Sequence, residues 1–177
     1  MKRFFLALLV PVFLVMLTRG DPARFIRRIF PFDYRDQITQ AAKEYGLEPL
    51  FVASVIKAES SFFPHADSGR AKGLMQLTDD TAAFIAEKTG LSYEQRTLPL
   101  TNIRMGCFYL SYLGKHFGSM ELMLAAYNAG PARVSGWLSD SRYCKDGSTL
   151  DKIPYAETRK YVQRVSVYYR IYKFLYK

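Results

Sequence analysis

Glu59 is the side chain in this 177-residue chain best placed for acid–base work. It ends an otherwise apolar stretch, Leu50-Phe51-Val52-Ala53-Ser54-Val55-Ile56. Lys57, two positions back, does not share its face of a helix. A carboxyl in such a place is partly desolvated. Desolvation disfavours the charged form, raises the pKa and keeps the proton on near neutral pH, as a general acid requires. The competing reading is a surface carboxylate at a helix end. Other chemistries find less support. No glycine-rich phosphate loop is followed by lysine, and His65 and His116 form no i, i+4 pair for zinc. No Gly-x-Ser-x-Gly elbow is present, so a hydrolase triad has no anchor. Two cysteines cannot build a four-Cys zinc site or a disulfide framework. No metal and no cofactor is expected.

Helical spacing supplies the elements that must carry Glu59. Asp33 and Asp36 are candidate caps for a first helix, with Ile38, Ala41, Ala42 and Tyr45 on one face and Gly46 after it. Pro49 stands where a second helix begins, and that helix runs to Glu59. Residues 60–72 are polar, carry Pro64 and Gly69, and read as a loop. Thr78 caps a helix that Gly90 stops. Thr101 or Asn102 opens another, with Ile103, Cys107, Leu110 and Leu113 at helical spacing. A short apolar helix over 121–127 ends at Asn128-Ala129-Gly130, and Pro131 starts the next. Residues 139–152 form a polar loop. Residues 157–176 form a long last helix with Tyr161, Val165, Tyr168 and Tyr172 spaced for one face, mostly core beyond Tyr161. No stretch alternates as a strand does. The chain reads as all-α, one domain over residues 33–177.

Composition excludes a disordered chain: 49% of residues are hydrophobic and 15% aromatic. The net charge of +9 raises nucleic acid, anionic membrane and acidic polymer as partners. Its distribution decides among them. Residues 1–32 hold six basic residues against Asp21, a net +5. Residues 157–177 hold six basic residues against Glu157, again +5. The middle holds 13 basic and 14 acidic residues, net −1, so no basic stripe marks a nucleic-acid face. The last helix is expected to lie mostly away from the functional site.

Lys2-Arg3 precede an apolar run, Phe4 to Leu17. As a helix it would rise about 21 Å, short of the roughly 20 residues that a bilayer core needs. Residues 1–32 therefore read as a signal peptide or short signal-anchor with a basic flank. Thr18-Arg19-Gly20 is a poor cleavage site, and no cysteine follows the run for a lipid anchor. Whether the segment is cleaved stays open. An uncleaved copy could rest its arginine-rich residues 25–30 on anionic lipid. Export permits a disulfide between Cys107 and Cys144, with two unpaired thiols as the alternative.

Four motifs then occur in order. Glu59-Ser60-Ser61-Phe62-Phe63-Pro64 leads through Ser68 and Gly69 to Gly73-Leu74-Met75-Gln76. Ala125-Ala126-Tyr127-Asn128-Ala129-Gly130 follows, then Glu157-Thr158-Arg159-Lys160-Tyr161-Val162. Each is weak alone. Together, over roughly residues 33–174, they resemble the catalytic domain of soluble-type lytic transglycosylases, glycoside hydrolase family 23, related to goose-type lysozyme.

The resemblance implies a lysozyme-like α fold with a groove for peptidoglycan strands, in an exported, periplasmic or cell-envelope protein expected to be a monomer. It implies cleavage of the β-1,4 bond between N-acetylmuramic acid and N-acetylglucosamine without water, leaving a 1,6-anhydro end. Glu59 would serve as the single acid and base, the sugar's acetamido group replacing the usual second carboxylate. Carried over residue by residue, Ser68, Met75 and Gln76 line the groove. Tyr127 and Asn128 line the site, Glu157 supplies a groove carboxylate and Tyr161 a hydroxyl near the catalyst. The plainer readings are core for Met75 and Tyr127, a helix end for Asn128, a helix-dipole carboxylate for Glu157 and a local cap for Ser60. The 139–152 loop, with Asp140, Cys144, Asp146 and Asp151, is this chain's own and lacks calcium-loop spacing. Two alternatives remain: a hydrolysing muramidase with Asp79 or Asp80 as second carboxylate, and an inactive glycan-binding scaffold.

Overall fold

The computed structural model describes residues 22–177, so the apolar run at 4–17 lies outside the described residues. Helix α1 (Pro22–Ile29) is followed by α2 (Arg35–Glu44) and α3 (Pro49–Glu59). Strands β1 (Ala71–Lys72) and β2 (Leu77–Thr78) form one small hairpin. Then come α4 (Asp79–Thr89), α5 (Pro99–Phe117), α6 (Met120–Ala129), α7 (Pro131–Leu138) and α8 (Ala156–Tyr176). The class is all-α, as the spacing indicates.

Helix α3 is the structural centre. Glu48 caps it, Pro49 occupies its first turn, and every residue from Leu50 to Ile56 is buried. A helix apolar all round must be covered all round. Helix α8 covers it most extensively, while α2 lies beside it and α6 joins α8. Helix α5 is the second buried rod, contacting α2, α4 and α6. Thr78 caps α4 by accepting from the Thr81 amide, and Gly90 closes it at φ 73°.

Several local expectations are corrected. Neither Asp33 nor Asp36 caps α2. The cap position is Tyr34 at φ 56°, with no side-chain cap, and Asp36 sits inside the first turn. Helix α5 begins at Pro99, whose ring presets the helical φ, so Asn102 is inside the helix and 1% exposed. Two strands exist among the described residues. They pair Ala71 with Thr78 and Lys72 with Leu77, too briefly for any alternation to show in sequence. Cys107 and Cys144 are both buried and free, so they form no bridge. Burial, with the Glu44 charge behind it, pushes the Cys107 thiol up to about 12.

Residues 22–32 are docked on the rest of the fold. The Arg27 guanidinium donates to the Leu175 carbonyl at 3.1 Å. The Tyr172 and Tyr176 hydroxyls donate to the carbonyls of Pro31 and Phe30, each at 2.7 Å. Phe30 lies edge-on to Tyr168 and Tyr172, and the Lys57 ammonium lies over its other side, 5.7 Å from the ring centroid.

Candidate active site

Glu59 is the last residue of α3, and the chain leaves it abruptly. Ser61 and Phe62 take φ values of 52° and 67°, left-handed conformations that cost a non-glycine residue about 1–2 kcal/mol. The strain is held by buried Phe62 and by Ser60, whose hydroxyl donates to the Leu74 carbonyl at 2.8 Å. Ser60 thus ties the end of α3 to the segment 73–76, a larger role than a local cap.

Segment 73–76 is built from the inside. The buried Asn102 side chain accepts from the Met75 amide at 2.7 Å and donates to the carbonyls of Lys72 and Arg96. Gly73 runs at φ 81°, and a Cβ there would stand 2.5 Å from the Asn102 amide nitrogen. Only glycine permits this approach. Met75 is fully buried, with its sulfur where a Cβ on Gly106 would be. Met75 is therefore core and does not line a groove with its side chain. Its carbonyl serves the site instead, accepting from the Tyr127 hydroxyl at 2.7 Å.

Gln76 takes φ 46° and turns its amide NH2 inward, to the Ala66 and Gly73 carbonyls at 3.0 and 2.9 Å. Two carbonyl partners fix which end of the amide is nitrogen. Its oxygen is the polar atom left for a ligand, so Gln76 offers an acceptor and no free donor. Ser68 is exposed in the loop before β1. Its hydroxyl exchanges hydrogen bonds with Ala71, accepting from the amide at 3.1 Å and lying 3.2 Å from the carbonyl. Asn128 is exposed in the last turn of α6, and Glu157 is exposed in the first turn of α8.

The Glu59 carboxyl meets Tyr161 of α8 and Tyr127 of α6. Burial lifts its pKa to about 7; the Tyr161 hydroxyl and the Arg164 charge oppose the shift and are outweighed. Burial, reinforced by the Glu59 charge, holds both tyrosines protonated well above their ordinary range. The Tyr127 proton is engaged by Met75. The Tyr161 hydroxyl is different: among the described residues it is the one buried side-chain polar atom with no hydrogen-bond partner. It stands close enough to Glu59 to favour ionisation yet completes no bond to it.

The structure thus gathers Glu59, Tyr127 and Tyr161, with Gln76 joined through segment 73–76. Ser68, Asn128 and Glu157 make no hydrogen bond to this group. Ser60 and Asn102 support it, Arg164 lies beside it over the Tyr161 ring, and the motifs do not point to any of the three for these places. Asn102 had a signal, a polar residue inside the apolar helical pattern of Ile103, Met105 and Leu110. Arg164 had a weaker one, its i+3 spacing from Tyr161. Among the described residues no carboxylate contributes to the Glu59 shift; Asp79 is ion-paired with Arg96 at 2.9 Å at the start of α4. Among the described residues no group of three His, Cys, Asp or Glu side chains could hold a metal ion.

A family model, the transglycosylase SLT domain, matches residues 36–148. The chain belongs to this family. It is 34% identical over 151 residues to soluble lytic murein transglycosylase of Salmonella typhimurium, aligning 81% of this chain with 23% of that protein. Among solved structures it superposes on lytic transglycosylase Slt of Pseudomonas aeruginosa, in an inactive Glu-to-Gln mutant form. There the TM-score is 0.72 and the identity 40%, over 82% of this chain and 24% of that one. The 70 kDa soluble lytic transglycosylase of Escherichia coli gives a TM-score of 0.74 at 31% identity, over 84% and 25%. The chain therefore spans about a quarter of the length of these relatives, and the fold of this SLT domain is lysozyme-like. Helix α8, which carries Glu157 and Tyr161, lies beyond the family-model match.

Proposed function

We propose that this SLT domain is a peptidoglycan lytic transglycosylase that uses Glu59 alone as acid and base. The observation that carries the reading is the desolvated Glu59 carboxyl, with a pKa of about 7, beside the Tyr161 hydroxyl. A group poised there gives a proton in one step and takes one back in the next.

Glu59 donates its proton to the oxygen bridging N-acetylmuramic acid and N-acetylglucosamine. The C1–O bond breaks, and the muramyl acetamido oxygen supports the electron-poor C1. The Glu59 carboxylate then takes the proton of the muramyl C6 hydroxyl, O6 bonds to C1, and a 1,6-anhydro ring closes. Glu59 ends as it began, and no water enters. Tyr161 supplies a hydroxyl beside the carboxylate as it forms, which favours the ionised state. Gln76, Tyr127, Asn128, Ser68 and Glu157 are proposed to contact the strand, with Gln76 contributing its carbonyl oxygen. Met75 contributes through its backbone.

Relatives bear the names soluble and membrane-bound lytic murein transglycosylase, which supports placement in the cell envelope. No described helix is long and apolar enough to cross a membrane. Mass spectrometry of fragments released from purified sacculi tests the reading. 1,6-Anhydromuramyl ends are expected; reducing ends would mean a hydrolysing muramidase. Glu59→Gln is expected to cut release at least about 1,000-fold, since proton transfer is lost in both steps. Release at the parental rate would refute the mechanism.

A further inference from the structure

Arg164 holds a place that the acid–base chemistry does not explain. It follows Tyr161 by three residues and Glu157 by seven, so the three share one face of α8. Its guanidinium lies over the Tyr161 ring, 5.8 Å from the centroid, and the hydroxyl of that ring adjoins Glu59. Arg164 is exposed. Three arginines pair with carboxylates, Arg96 with Asp79, Arg104 with Glu44 and Arg142 with Asp140, and Arg164 is distinguished from the remaining unpaired ones by lying against the Tyr161 ring beside Glu59. No carboxylate among the described residues pairs with Arg164. Stacking on the ring steadies the planar fork, and its N–H edge is left for a ligand. Such a fork matches a carboxylate in two parallel hydrogen bonds.

We propose that Arg164 is a carboxylate-binding subsite beside the cleavage point, recognising an acidic substituent of the muramyl sugar. The proposal rests on the peptidoglycan reading above. N-acetylglucosamine is neutral, so an anion here distinguishes the two alternating sugars and sets the register of the strand over Glu59. The carboxylate has two possible sources. On strands without stem peptides it is the free lactyl group; on strands with stems it belongs to the peptide. One cation of the last helix therefore stands at the sugar site, against the expectation that this helix keeps its charge elsewhere.

The test compares the parent with Arg164→Ala and Arg164→Lys on three substrates. These are stem-free strands, the same strands with carboxyls converted to methylamides, and stem-bearing strands. Assays at about pH 5.5 keep Glu59 mostly protonated in every variant and the lactyl group ionised. For Arg164→Ala the expected result is a KM raised about five- to twenty-fold on a carboxylate-bearing strand, with kcat within about twofold. Methylamidated strands should show no such difference, and Arg164→Lys should recover part of the loss. An effect confined to stem-free strands assigns the lactyl group; one confined to stem-bearing strands assigns the peptide. An equal effect on methylamidated strands, or none on any strand, overturns the proposal. If the parent cleaves no strand, the transglycosylase reading fails on its own account. Strand Kd values by sedimentation then carry the same comparison, and equal values for parent and Arg164→Ala overturn the subsite.

Discussion

A carboxyl with a pKa near 7 is both a catalyst and a cost to the fold. The pKa of Glu59 is raised on folding from about 4.5 to about 7. Between those values the native state binds the extra proton, so the contribution of this group to stability is greatest below pH 4.5 and is lost as pH rises through 7. Glu59→Gln removes the titration. It is expected to raise the Tm at pH 8 and change it little at pH 5, the effect on unfolding free energy differing by up to about 3 kcal/mol between the two. Thermal scans at both pH values check this. Tyr161 gives a complementary case. Its unpartnered buried hydroxyl carries a desolvation penalty of about 1–3 kcal/mol. Tyr161→Phe should therefore keep or raise the Tm while lowering kcat about ten-fold or more. Because that hydroxyl lowers the Glu59 pKa, its loss should also move the alkaline limb of the pH–rate profile to higher pH. A fall in Tm with an unmoved profile would contradict this role.

At the scale of elements, the site depends on how α3, segment 73–76 and α5 are joined. Asn102 is the joint. Asn102→Ala would leave the Met75 amide and the Lys72 and Arg96 carbonyls without their partner, costing about 2–4 kcal/mol. Activity should fall with stability, because Met75 presents the carbonyl that holds Tyr127. Urea unfolding and strand-cleavage rates, measured together, check both halves. This joint also shows what the sequence could and could not disclose. Pro49, Thr78, Gly90 and Pro131 mark element ends by local chemistry, and those ends stand where they were read. Of the two readings of Met75, burial of its side chain depends on Gly106, thirty-one residues on, and nothing local reports that contact. The left-handed turn at Ser61 and Phe62 has no glycine or asparagine to announce it. Tertiary contacts impose it, and they place Glu59 against α8.

For the molecule as a whole, charge is a matter of placement. The net positive charge lies in residues 1–32 and 157–177, while the stretch between is net −1. Attraction to an anionic wall polymer is then spread over the body and screened by salt, whereas neutral sugars near Glu59 are held by short contacts. Raising salt from 0.05 to 0.5 M, about 14 to 4 Å in screening length, should weaken adsorption to sacculi several-fold. Cleavage of short soluble strands should change much less. Equal sensitivity of both would place the attraction inside the groove.

The docking of residues 22–32 also sets a limit on proteolytic trimming. Phe30 is wedged between Lys57 on α3 and Tyr168 and Tyr172 on α8, the two helices that bring Glu59 and Tyr161 together. A peptidase working inward from the N-terminus would have to stop before Phe30 to leave this buckle fastened. Past Phe30 it would strip the partners from the Tyr172 and Tyr176 hydroxyls and uncover a tyrosine that is now fully buried. Any processing cut compatible with an intact site therefore falls upstream of that ring.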